Sequence, residues 1–327
     1  DWVEGRHAPD YLVETSDDGR TWETRLEVVG GNGGRDPLSL TETESLRLRL
    51  RPLKTADSVG PAIAEIVLHP LEWSATREAF FMNIAADARR GLYPRGFLDE
   101  PTAWTVVGID HDTREGLLGA DGALEVGPGE YSLEPFLWAD GQLLTWADVE
   151  ATPSLDGDDL PLPRVTWTSG PWRLRISALG TGEPERSSLL ARYEVENRGT
   201  RADSVTLYLA LRPFQVNPPV QSLNVRGGTA KVGSVALEEG VLVVDGRPRV
   251  GLWPAPDGFG ATTFAGGDVV AVHLAAGRLP AARAVDDPFG AASAAVAYRL
   301  RLALGASAGV TVAVPLHEAS PMPSDMD

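Results

Sequence analysis

The sequence contains no cysteine, so neither a disulfide framework nor thiolate chemistry is available, and cysteine usage says nothing about the compartment. It has no apolar run long enough to span a bilayer and no basic-then-apolar leader at its start. Cations are scarce, with 29 Lys and Arg against 46 Asp and Glu, and the formal net charge is -17. Nucleic acid and anionic membrane both need a basic face to release counterions, so both are poor partners for this chain. The five histidines, His7, His69, His111, His273 and His317, show neither H-x-H nor H-E-x-x-H spacing, which leaves a zinc or iron site without support. No initiating Met precedes Asp1, which opens in the middle of an apparent pattern; the expectation is a fragment or processed form whose compartment (cytoplasm, periplasm or outside the cell) stays open.

Turn formers and apolar residues are plentiful. Hydrophobic residues make up 43% of the chain and charged residues 23%, with 35 Gly and 25 Pro, the composition of a globular protein rich in turns. At 327 residues there is room for two ordinary domains, or for a small one beside a large β domain. The strongest local pattern is VTLYLALRPFQVNPP, from Val205 to Pro219. Val205, Leu207, Leu209 and Leu211 alternate with Thr206, Tyr208, Ala210 and Arg212, as in a half-buried strand. Pro213 ends that ladder, and Phe214, Gln215 and Asn217 follow on a loop stiffened by Pro218 and Pro219.

Elsewhere, DYLVETSDDGRTW from Asp10 to Trp22 reads as a hairpin around Ser16-Asp17-Asp18-Gly19. Leu46, Leu48 and Leu50 alternate with Arg47, Arg49 and Arg51, and AIAEIVLHP, ending at Pro70, reads as one more strand. Thr76 to Arg90 carries Phe80, Ile84 and Ala88 at helical spacing with Gly91 beyond as a C-cap, which predicts one bridging helix. After Pro101 short strands dominate: TAWTVVGID, GALEVGPGEYSLEPFLWADGQLLTW, WRLRISAL, SLLARYEVEN, KVGSVAL, VLVVDGRPRV, DVVAVHL, VAYRLRLAL and VTVAVPL. The face of Trp172, Leu174, Ile176 and Ala178 should meet that of Leu189, Ala191, Tyr193 and Val195. So many short strands favour an all-β fold with a large antiparallel sandwich over a βαβ fold.

Two stretches resemble known families. Tyr11, Val13, Glu14, Ser16, Asp18, Gly19 and Trp22, then Arg47, Leu48, Arg49 and Leu50, then Glu65 and Ile66, resemble the C-terminal half of a discoidin (coagulation factor 5/8 type C) jelly roll. From about Tyr93 to Leu316, YPRGF with AWTVVGID, ALEVGPGEYSLEPFLWADGQLLTWADV, the W-x-L-x-I to A-x-Y-x-V-x-N pair ending at Asn197, and LALRPFQVNPP are similar to the supersandwich of bacterial proteins that pair it with an (α/α)6 glycoside-hydrolase-like barrel. The resemblance implies a partial jelly roll over residues 1–70, a linker with a helix over 71–100, a supersandwich over 101–318 and a tail over 319–327. It also implies that acid and base carboxylates belong to a barrel that follows the sandwich in such relatives, and that they have no counterpart here.

Chemical motifs are sparse. Gly305-Ala306-Ser307-Ala308-Gly309 matches G-x-S-x-G, but a strand follows where a nucleophile elbow needs a helix, so a β-turn is expected despite His317 nearby. Asp156, Asp158 and Asp159 open like a calcium loop, yet the twelfth position is Trp167 rather than Glu; a looser calcium site competes with a plain acidic turn. Gly30 to Gly34 lacks the Lys-Ser/Thr ending of a phosphate loop. Asp110, Asp112, Asp148, Asp286 and Asp287 supply carboxylates whose separation sequence cannot measure. Trp138, Trp146, Trp167, Trp172 and Trp253 recur across the sandwich, most of them as core, with Trp138 and Trp146 as candidate sugar platforms.

The expectation is a non-catalytic sandwich portion of a carbohydrate-active protein, with no cofactor, whose partner is a carbohydrate or a downstream catalytic domain. Phe214, Gln215, Asn217, Gln221 and Asn224 would line its contact surface, their amides suited to hydroxyls. A freestanding glycan-binding or adhesion module, and a lyase-like or mutarotase-like enzyme using sandwich carboxylates, are the alternatives.

Overall fold

The computed structural model describes residues 1–156 and 162–322. Its first sheet is built from β1 (Tyr11–Ser16), β2 (Glu23–Val28) and β3 (Arg47–Pro52), antiparallel in the order β2-β1-β3. The predicted hairpin forms because Asp18 accepts hydrogen bonds from the amides of Arg20 and Thr21, at 2.7 and 2.8 Å, and so closes the turn. Register places Val13 opposite Leu26 and Leu50, which share an apolar face, while Glu14 lies on the other face. There Arg49 and Arg51 both contact the Glu14 carboxylate, so the cationic side of β3 is locally neutralised.

AIAEIVLHP does not become a strand. It is mostly exposed and forms no ladder: its first residues hydrogen-bond to the chain start at Asp1, Val3 and Arg6 beside an isolated bridge from Trp2 to Ile63, and no neighbouring strand continues that pairing.

The expected helix is present but shorter: α1 covers Arg77–Asp87, capped by Thr76, whose hydroxyl accepts from the Ala79 amide at 3.1 Å. It stops early because Arg89 and Arg90 turn away to hold Asp148 and Glu100. Gly91 is therefore no cap. A Cβ there would lie 2.0 Å from the Thr145 hydroxyl, so the close approach of the two segments demands glycine. Phe80, Phe81, Ile84 and Ala85 are buried against Tyr93, Phe97, Phe214 and Val269.

The sandwich follows. Its strands are β4 (Trp104–Val107), β5 (Gly116–Gly119), β6 (Leu124–Glu125), β7 (Ser132–Ala139), β8 (Gln142–Leu144), β9 (Glu150–Asp156), β10 (Leu162–Ser169), β11 (Trp172–Thr181), β12 (Ser188–Asn197) and β13 (Asp203–Arg212). A two-strand ribbon, β14 (Ser222–Leu223) and β15 (Val225–Arg226), interrupts them. Then come β16 (Ser234–Glu238), β17 (Val241–Val244), β18 (Arg247–Trp253), β19 (Gly258–Thr262), β20 (Ala284–Asp286), β21 (Ser293–Leu302) and β22 (Ser307–Pro315). One sheet runs β20-β16-β17-β18-β22-β12-β11-β10-β9, and the other β19-β21-β13-β7-β6-β5-β4 with β8 beside β7. All of the strand pairs are antiparallel. Leu174, Ile176 and Ala178 pair with Val195, Tyr193 and Ala191, and their sheet packs its Trp167 and Trp172 against Val205, Leu207, Leu209 and Leu211 of β13.

Two expectations change here. DVVAVHL is not extended: α2 (Phe264–Gly267) ends just before it, its first three residues form a turn, and Ala271 to Leu274 lie in α3 (Ala271–Ala275). Asp268, Val269 and Val270 adopt positive φ of 47, 47 and 68° and reverse the chain between the two turns, so Val270 and Leu274 dock on the outer face of the sheet. As a result β13 is buried on both faces from Leu207 onward instead of on one. Tyr208 and Ala210 lie beneath α3, together with Phe136.

Candidate functional site

β13 ends in a buried charge. Arg212, fully buried, forms an ion pair with Glu134 of β7 at 2.8 Å. The guanidinium also donates to the carbonyls of Leu92 at 2.6 Å and Val269 at 3.2 Å. The sheet, the segment after α1 and the α2–α3 turn thus meet at one side chain. Burial pushes the Glu134 carboxyl above the usual range, and Arg212 and Ser132 oppose that push. Burial likewise raises Asp268, with its partner Tyr93 acting in the other direction.

The proline loop after Arg212 is anchored from the inside. The Glu125 carboxylate accepts from the amides of Val216 at 2.8 Å and Asn217 at 3.1 Å, and from Gly129 at 3.0 Å. Burial of Glu125 outweighs these three donors and pushes its pKa up to about 7. Gln215 donates to the Thr229 carbonyl and Asn217 to that of Val225. Phe214 is fully buried among Phe81, Tyr93 and Phe97, with ring centroids 4.8 to 5.7 Å apart.

The expected contact surface is therefore corrected in part. Phe214, Gln215 and Asn217 face inward, because the loop folds back over Glu125 and their side chains complete the interior. Gln221 and Asn224 are exposed, Asn224 at the αL position of the turn joining β14 to β15. Trp146 is buried, donates to the Tyr93 carbonyl at 2.9 Å and has Arg90 and Arg95 over its ring, so it offers no free sugar platform. Trp138 is half-buried against Gly277 and the outer cluster.

Beside the loop lies a cavity of about 240 Å3. Its walls are mostly apolar, with Phe97, Ala123, Val216 and Pro218 among them, and Asp121, Arg95 and Gln215 supply polar groups. Gly96 lets the Arg95–Leu98 turn approach the loop, since a Cβ there would lie 2.6 Å from Pro218. Burial raises the Asp121 carboxyl above the ordinary range; the Ala123 amide and Arg95 oppose this. YPRGF, AWTVVGID and the ALEVGPGEY stretch lie within residues 93–131, LALRPFQVNPP is some eighty residues further on, and all four contribute to this one wall.

The remaining motifs lie apart from it. Ser307 begins β22 opposite Glu196, and a strand follows it, so the G-x-S-x-G run is a turn into a strand and not an elbow. His317 pairs with Asp112 at 2.8 Å. Burial opposes ionisation of Asp112, but Ser187, His317 and the amides of Thr113 and Arg114 outweigh it and hold its pKa down at about 2. Asp148 is held by Arg89 and Thr145, and Asp287 by the amides of Phe264, Phe289 and Ala291, while Asp110 and Asp286 are exposed. Asp156 pairs with Arg164, whereas Asp158 and Asp159 of the looser calcium reading lie outside the described residues. Among the described residues no group of three His, Asp or Glu converges as a metal site.

Sequence reasoning passed over Arg95, Asp121, Glu125 and Glu134. One signal was available for the last two: each is a single acid within a stretch of apolar residues, ALEV and SLEPF, where burial demands a partner.

No family model matches the chain, and no curated protein matches it. Among solved structures it is similar to a bacterial glucoamylase complexed with acarbose, at 11% identity and a TM-score of 0.43, over 66% of this chain and 32% of that one. It is also similar to a protein assigned as a kojibiose phosphorylase from the human microbiome, at 9% identity and a TM-score of 0.29, over 66% of this chain and 25% of the other. The chain thus spans about a third of the first protein and a quarter of the second.

Proposed function

We propose that this chain is the non-catalytic sandwich portion of a carbohydrate-active protein, and that the cavity beside the proline loop, together with the exposed Gln221 and Asn224 further along that loop, meets a carbohydrate or the surface of a catalytic domain. The observation that carries this reading is the convergence of four segments on one cavity wall, the same segments in which the sequence is similar to supersandwich proteins. The state of the acids agrees with it. Glu125, Glu134, Asp148, Asp268 and Asp287 are each held by a guanidinium, a hydroxyl or backbone amides, and none of them lines the cavity, where Asp121 is the one carboxyl among the described residues, whereas a glycosidic bond is cleaved between two. The extent of the units follows the same reading: a partial jelly roll up to about residue 70, a linker to 100 and the sandwich to 318.

Asp121 and Arg95 suit hydroxyl groups, and the Phe97, Val216 and Pro218 walls suit the apolar face of a sugar ring. The test is calorimetric titration of the chain with neutral oligosaccharides, alongside Ala103→Trp, which places an indole at an exposed lining position without disturbing the core. Saturable binding that Ala103→Trp abolishes, with no turnover of aryl glycosides, is the expected result. Turnover that survives repurification and is lost on mutation of a sandwich carboxylate would overturn the non-catalytic role.

A further inference from the structure

Beside the first sheet lies an open apolar trough. Tyr11, Val13, Leu48 and Leu50 of β1 and β3 line a trough of about 630 Å3, bordered on one side by residues 37–44 and on the other by residues 63–71. Both borders run extended, yet no amide of 38–44 or 66–69 donates to another backbone group among the described residues. Exposed large apolar side chains gather in the same place: Ile66 is 54% exposed, Val67 55% and Leu68 77%. Unpaired backbone beside an apolar floor is the arrangement that accepts an added strand.

Charge says what kind of strand. Glu42, Glu44 and Glu65 stand on the rim, and none of them forms an ion pair among the described residues. The cation in the lining, Arg35, is turned to Asp87 at 2.7 Å.

We propose that this trough is a strand-acceptor groove for an extended polypeptide segment in which apolar and basic residues alternate. Its apolar side chains lie on Leu48, Leu50 and Ile66 above the buried Tyr11 and Val13, its basic side chains reach Glu42, Glu44 and Glu65, and its backbone pairs with the open borders. A second copy of β3 fits poorly, because its Arg49 and Arg51 are already bound to Glu14. This assignment is independent of the cavity at the end of the sandwich and stands or falls separately.

The probe is the end-blocked heptapeptide KVKIKVK, with EVEIEVE and the rearranged KKVVIKK as controls, titrated against the full chain and followed by hydrogen exchange. Expected are saturable binding of KVKIKVK alone, weakened by salt, and slower exchange at residues 38–44 and 66–69. Ile66→Lys, at an exposed position, should keep the fold and its melting temperature while weakening the peptide by at least about tenfold. Absence of binding, equal binding of either control, or protection confined to other strands would overturn the proposal. Self-association of the chain that protects the same amides without peptide would also overturn it, in favour of a second copy as the occupant.

Discussion

Replacing Arg212 by Met tests how the sandwich is joined to the segment after α1. The change removes an ion pair between two side chains that are 0% and 6% exposed, and two hydrogen bonds to backbone carbonyls at 2.6 and 3.2 Å. Breaking a buried pair from one side costs about 3–5 kcal/mol, because the remaining charge is left uncompensated. Glu134 would keep only the Ser132 hydroxyl, at 3.0 Å, so at neutral pH it must take up a proton or stay charged in an apolar setting. The penalty should therefore shrink as pH falls, since acid supplies that proton. Replacing both partners, as Arg212→Met with Glu134→Leu, removes the stranded charge and should restore most of the loss, short of about 1 kcal/mol for each carbonyl left without its donor. Urea denaturation of the two single variants and the double variant closes a mutant cycle. A single change costing under about 1 kcal/mol, or a double variant equal to the sum of the singles, would refute the idea that this pair ties the layers together.

Glu125 predicts a pH dependence. Its pKa rises from the usual 4.5 to about 7 on folding, so between those values the folded chain binds more protons than the unfolded one, and stability must fall as pH rises through that window. The contribution is up to about 3 kcal/mol at about 1.4 kcal/mol per pH unit. Glu125→Gln should flatten that part of the stability profile, and a profile identical to that of the native chain would count against the assignment. Asn217→Ala should cost about 1–2 kcal/mol, as for a buried hydrogen-bonded group, whereas Gln221→Ala should stay within about 0.5 kcal/mol; thermal melts that reversed this order would show the loop packs otherwise. Gly91→Ala combines a φ of +94° with a contact 2.0 Å from Thr145, and a melting temperature equal to that of the native chain would refute the close approach. The first sheet, with two open edges and an uncovered trough, should exchange its amides faster than β11–β12; equal protection would contradict its openness.

Alternation made the inner faces of the sandwich legible: Trp172 to Ala178 and Leu189 to Val195 meet as the period-two pattern demands. That pattern states which residues share a face, but not what covers the opposite one. Tyr208 and Ala210 looked like the solvent side of β13 because nothing local reveals that α3, more than sixty residues later, lies on them. DVVAVHL misled for a related reason, since its β-branched run suits a strand until the left-handed turn at Asp268 to Val270 folds it into a helix that needs the sheet's outer face.

The amides show how far the same limit reaches into the site. Polar residues on a proline-stiffened loop are ordinarily solvated, and on that ground Gln215 and Asn217 read as contact residues no differently from Gln221 and Asn224. What separates the two pairs is a long-range partner: Glu125, on a strand some ninety residues earlier, draws the loop backbone inward and carries Gln215 and Asn217 with it. The loop beyond Pro219 has no such acceptor and stays outside. The lone acids Glu125 and Glu134 are the cue that could have predicted this, because an ionisable group inside an apolar strand requires donors, and the arginine that ends β13 and the backbone amides of the loop after it are where those donors are found.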